Sequence, residues 1–82
     1  MHKLRKGKYD LVEEKVAPNA LANGKKLRDL ALPSQCTIVA VLRSGELIVP
    51  HGELEFQTED EVLAVVHKDQ KKELAHFFDR IV

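Results

Sequence analysis

Four histidines, one cysteine, two serines and four glycines are the residues of this 82-residue chain with the most familiar chemical uses. His2, His51, His67 and His76 share no spacing, such as i and i+4 on one helix, that would put two imidazoles on one metal. Each reads as a surface residue: His51 in a turn, His67 at a strand end, His76 on the outer side of the last helix. Cys36 has no second cysteine to pair with, so it reads as a small core side chain in a reducing compartment. Ser34 and Ser44 lack the context of a nucleophile elbow. Gly7, Gly24, Gly45 and Gly52 do not assemble a phosphate-cradling loop. Glu59, Asp60 and Glu61 lack the spacing and glycine of a calcium loop, and no two acids are placed as general acid and base. Neither catalysis nor a metal or cofactor is expected. The carboxylates between Glu46 and Glu61 read instead as a solvated rim that keeps the strands soluble.

The bulk numbers narrow the classes further. Thirteen basic and thirteen acidic residues cancel, which argues against DNA or RNA as a partner. Lys3, Arg5, Lys6 and Lys8 crowd residues 1–8, which read as a basic linker or tail, or as a connector lying against anionic lipid. No apolar run is long enough to span a bilayer. Residues 9–82 make one domain whose core is small, so self-association into a homodimer is expected to enlarge it.

These side chains need elements to hold them. Residues 9–16 read as a first strand with Val12 and Val16 on one face and Tyr9 and Leu11 on the other. Asn23 is placed as the N-cap of a short helix carrying Leu27, Leu30 and Ala31, stopped by Pro33. Residues 36–43 read as a central strand covered on both sides, with Ile38, Ala40 and Leu42 facing one way and Thr37, Val39 and Val41 the other. Ser44-Gly45 is a two-residue hairpin turn into residues 46–49, and Pro50 closes that strand. A brief strand at Leu54 and Phe56 and a buried strand over 61–67 follow. A last helix starts at Asp69 and buries Leu74, Phe77, Phe78 and Ile81. The class is α+β: a small, mostly antiparallel sheet with a short helix after the first strand and a C-terminal helix.

Residues 24–66, GKKLRDLALPSQCTIVAVLRSGELIVPHGELEFQTEDEVLAVV, resemble the TrkA C-terminal domain, also called the RCK C-terminal domain. The resemblance is carried by Gly24 with Leu27 and Leu30, the strand TIVAVLR, the turn before LIVP, the turn acid Asp60, and VLAVV. The leading YDLVEEKV and closing ELAHFF extend it over about residues 9–79. Glu59 departs from the family, which usually has glycine before the acid. The resemblance implies a cytoplasmic, dimeric, ligand-sensing regulatory domain of a potassium or related ion channel or transporter. Such a domain sits at the inner membrane through its parent transporter, in cis or in trans, and answers a small-molecule or ion effector. The alternative is a dimerisation module that binds no ligand. Some members bind c-di-AMP between two subunits through a basic residue and an asparagine. Ala31 and Thr37 stand at those positions here, so tight c-di-AMP binding is not expected. The ligand-binding residues implied are Leu27, Leu30, Ala31, Thr37, Ile38 and Arg43. Arg43 either meets an anion or pairs with Glu46 at the hairpin rim.

Overall fold

The computed structural model describes residues 7–79; most of the basic N-terminal run, together with Ile81, lies outside the described residues. Four strands form one sheet in the order β1-β4-β2-β3, every neighbouring pair antiparallel: β1 Tyr9–Lys15, β2 Cys36–Arg43, β3 Glu46–Ile48 and β4 Glu61–His67. One helix, α1 at Lys71–Phe78, follows β4 through a 3-10 turn at Lys68–Gln70. The two-residue link between β2 and β3 permits only antiparallel pairing, whereas the β1–β4 and β2–β4 pairs join strands that are not consecutive in the chain.

Alternation decides what is buried. In β4, Val62, Ala64 and Val66 face the core while Leu63, Val65 and the strand's two ends are half-exposed. β1 presents Val12 inward and keeps Leu11 and Glu13 outward, a polar pattern suited to a sheet edge. Over the inner face lie Leu74 and Phe78, one turn apart on α1 and without exposure, together with Val16 and Phe56. Phe56 and Phe78 meet edge to face at 5.4 Å. Full burial of each such side chain contributes about 1.5–3 kcal/mol. The last carbonyls of α1 would be orphaned, but Ala17 and Ala22 donate their amides to Phe78 and Phe77 at 2.9 Å each. The loop after β1 thereby caps the helix.

Four expectations need correction. The short helix is only a 3-10 turn at Leu27–Asp29, and Asn23 donates its amide to the Pro18 carbonyl instead of capping. The backbone there is drawn across to residues 52–56: Gly24, Leu27 and Arg28 donate to Phe56, Leu54 and Gly52 at 2.8–3.0 Å. Those same bonds explain why Leu54 and Phe56 form no strand beyond a single bridge, Lys26 with Glu55. Asp69 does not cap α1; its amide donates to Nδ1 of His67 at 3.1 Å, and Gln70 precedes the helix.

The fourth concerns β2. Ile38 pairs with Ala64 but Ala40 pairs with Leu63, so Val39 is an extra residue, a bulge. The bulge swaps the faces beyond it: Ile38 and Val41 share the core side, whereas Ala40 and Leu42 turn outward with Leu63 and Leu47. Nor is the strand covered on both sides. Among the described residues nothing packs over the outer face, where Leu11 is 61% and Leu47 67% exposed.

Candidate functional site

Two sets of polar contacts hold β2, one at each end. Leu27 and Leu30 are half-buried and packed against the core, as is Ile38 within the strand. Ala31 and Thr37 are exposed, Thr37 opposite Val65. The chain enters the strand through a neutral hydrogen-bond network. The Gln35 amide donates to Oε1 of Gln70 at 2.9 Å, and the Tyr9 hydroxyl donates to Oε1 of Gln35 at 2.8 Å. Gln70 in turn donates Nε2 to the Ser34 hydroxyl at 3.3 Å. Of the six residues expected to bind ligand, Thr37 and Ile38 lie in the first half of β2 and Arg43 at its other end, while Leu27 is tied through its amide to Leu54, next to the Glu55 carbonyl that accepts from Arg43.

Arg43 belongs to a second arrangement. The bulge at Val39 turns it to the core side, opposite the start of β4, where Asp60 is 1% exposed. Arg43 donates Nε to Oδ1 at 2.9 Å and Nη2 to Oδ2 of Asp60 at 2.8 Å, the forked geometry that suits a carboxylate. Nη2 also donates to the Glu55 carbonyl at 3.0 Å. The Gln57 amide adds a third donor to the carboxylate at 2.9 Å. Val16 donates to the Asp60 carbonyl at 2.9 Å, so the end of β1, the turn before β4 and the end of β2 meet at one residue. Bonding to Asp60 raises the guanidinium's pKa further, keeping it charged. The expected pairing of Arg43 with Glu46 is corrected, and Asp60 is no rim acid. Arg43 thus spends Nε and Nη2 on contacts within its own chain. The signal for this corner was Asp60 itself, set after a residue with positive φ, Glu59 at 75°.

The remaining reactive groups serve local structure. His51 accepts from the Glu53 amide at 3.2 Å and His67 from that of Asp69, each closing a two-residue turn. Burial pushes the Cys36 thiol upward, which leaves less thiolate at neutral pH. Among the described residues no three of His, Cys, Asp and Glu gather at metal-binding distance. Glu53 joins Lys26 and Arg28 in an exposed ion-pair cluster, worth little in water. None of the described helices is long and apolar enough to cross a membrane.

Residues 11–79 match the TrkA-C domain family. A Trk system potassium uptake protein trkA homolog 1 of Methanosarcina mazei is 29% identical over 88% of this chain and 18% of its own length. The Trk system potassium uptake protein TrkA of Mycobacterium tuberculosis is 34% identical over 87% of this chain and 32% of its own. The chain therefore spans less than a third of the relatives it matches. A solved structure described as an RCK domain with cda superposes with a TM-score of 0.75 at 25% identity, covering 84% of this chain and 97% of that one.

Proposed function

Because this chain belongs to the TrkA-C domain family, we propose that it is a regulatory module of a potassium or related cation transport protein, held at the cytoplasmic side of the membrane by that parent. The observation that carries the reading is the family match over residues 11–79, together with relatives described as Trk potassium uptake proteins. The module works as a homodimer in which an effector bound between subunits favours one dimer geometry. Such an effector biases a gate only by its difference in affinity for the two geometries. Supporting the binding surface are Ala31 and Thr37, exposed on a frame of Leu27, Leu30 and Ile38 that is already anchored in the core. Deleting residues 11–79 from the parent tests the reading through rubidium uptake. Uptake that no longer responds to effector or potassium load is expected; uptake indistinguishable from the intact parent contradicts it.

A second reading, a dimerisation scaffold without an effector, is favoured by one observation. The apolar members of the surface pack into the core and Arg43 is bound to Asp60, which leaves few groups to grip a small anion. The two readings separate on a designed gain. Neither Ala31 nor Thr37 is buried, so Ala31→Arg with Thr37→Asn introduces a cation and an amide without disturbing the core. On the sensor reading c-di-AMP affinity rises by at least about tenfold, or 1.4 kcal/mol. No gain in calorimetry favours the scaffold.

A further inference from the structure

We propose that Asn23-Gly24, in the link from β1 to β2, is a self-modification site that the fold keeps closed. The pair loses ammonia through a cyclic imide only when this link opens, and the product lacks the donor that closes it again. The modification needs no partner and no effector, so it stands apart from whatever the module regulates.

The reactivity lies in the residue pair. The chain has two asparagines, Asn19 before Ala20 and Asn23 before Gly24. Glycine has no Cβ to hinder its nitrogen from reaching the preceding side chain. The deprotonated Gly24 nitrogen attacks Cγ of Asn23: the N–Cγ bond forms, the Cγ–Nδ2 bond breaks, and Nδ2 leaves as ammonia. Water then opens the imide at either carbonyl, giving an aspartate or a β-linked isoaspartate. In sum, an amide and a water become a carboxylic acid and ammonia, with no oxidant or reductant. Lys25 and Lys26 follow directly, and cations beside the Gly24 amide favour its anion. Gly24 is exposed and Asn23 half-buried, so the water is at hand.

In the fold the two reacting groups are each tied elsewhere. The Gly24 amide donates to the Phe56 carbonyl at 2.8 Å. Asn23 donates Nδ2 to the Pro18 carbonyl at 2.7 Å. Attack requires the Gly24 nitrogen turned from Phe56 onto Cγ in a near-attack geometry, so both bonds must give way first. The turn around the pair is held as well. Lys25 donates its amide to the Ala22 carbonyl at 2.9 Å, and the buried Ala22 donates its own to Phe77 at the end of α1. Gly24 sits at φ 81°, and a Cβ there would meet nothing within 4 Å, so glycine is needed for its backbone and not for want of room. The turn thus demands the reactive residue, and hydrogen bonds supply the restraint. Conversion removes that restraint. The imide has neither the Gly24 N–H nor Nδ2. The aspartate regains the N–H, but its carboxylate meets the Pro18 carbonyl oxygen to oxygen, with no donor between them. The link that caps α1 is then tied less tightly.

The test is to incubate the unmodified chain at mildly alkaline pH, native and in urea, and to follow residue 23 by peptide mapping. Conversion should be at least about tenfold slower in the native sample. As urea is raised toward unfolding, the rate should climb in step with hydrogen exchange at the Gly24 amide. Asn23→Gln should abolish conversion at this position in urea, because the larger ring closes far more slowly. Asn23→Asp, the product, should speed exchange at the Gly24 amide of the folded chain at least about tenfold. Equal rates in native and urea samples overturn the guard. Conversion in urea at Asn19 and not at Asn23 overturns the site. Unchanged Gly24 exchange in Asn23→Asp overturns the claim that the product loosens the link. The rate measurements use the unmodified chain, so they decide the guard and the site even where Asn23→Asp fails to fold.

Discussion

The two ends of β2 use charge in opposite ways. At the Arg43 end a partly exposed guanidinium forks onto the buried Asp60 carboxylate, with a further bond to the Glu55 carbonyl and one from the Gln57 amide to Asp60. At the Cys36 end the backbone is exposed and no charge is present over thirteen residues. Placing the costly groups where their partners are fixed makes the Arg43 end a structural joint, while the Cys36 end keeps an uncharged, partly exposed surface.

The joint predicts the largest effect. Asp60→Ala leaves Arg43 half-buried and unpaired, a loss of roughly 3–5 kcal/mol; urea denaturation showing under about 1 kcal/mol would mean that solvent compensates and the corner is no joint. Next in size is the inner face of α1. Phe78 is fully buried against Phe56, whereas Phe77 is half-exposed, so Phe78→Ala should cost about 3–5 kcal/mol and Phe77→Ala clearly less. Equal losses in denaturation would redraw the helix face.

Much of this was legible from the residues. The limits of β2, its hairpin through Ser44 and Gly45 with both φ positive, and the apolar stripe of α1 follow from alternation and turn chemistry. The bulge was not legible, because one inserted residue among β-branched neighbours leaves no mark in the pattern, yet it decides which way Arg43 points. The burial of Asp60 was hidden for the same reason. The 3-10 turn was missed because its apolar spacing suits a helix, while its backbone donors are taken by residues 52–56. Among the residues expected to bind ligand, the apolar frame of Leu27, Leu30 and Ile38 follows from hydrophobic spacing, whereas the fork of Arg43 onto Asp60 required the fold.

Smaller effects sharpen the joint. Glu59 holds φ at 75° in the turn leading to Asp60, a conformation that favours glycine. Its exposed contact with Lys15 at 3.6 Å offsets little of that strain. Glu59→Gly should therefore gain roughly 1 kcal/mol, and a lower melting temperature would show that the Lys15 contact matters more. The smallest effect depends on pH. Burial, then Asp79, raises the Glu14 carboxyl above its ordinary 4.5. The folded state holds that proton more tightly than the unfolded chain, so stability from this group falls as pH rises from about 4.5 through the raised value. Glu14→Gln should melt higher than the parent at neutral pH, with the gap closing in acid; a gap that does not change with pH contradicts the assignment.

The most direct measurement of the central claim, that this domain works as a pair, is the mass of the unmodified chain by light scattering across a dilution series. A mass of twice 9.3 kDa at high concentration, falling toward 9.3 kDa on dilution, is the result expected. A constant 9.3 kDa at every concentration, up to the highest that stays soluble, would contradict it.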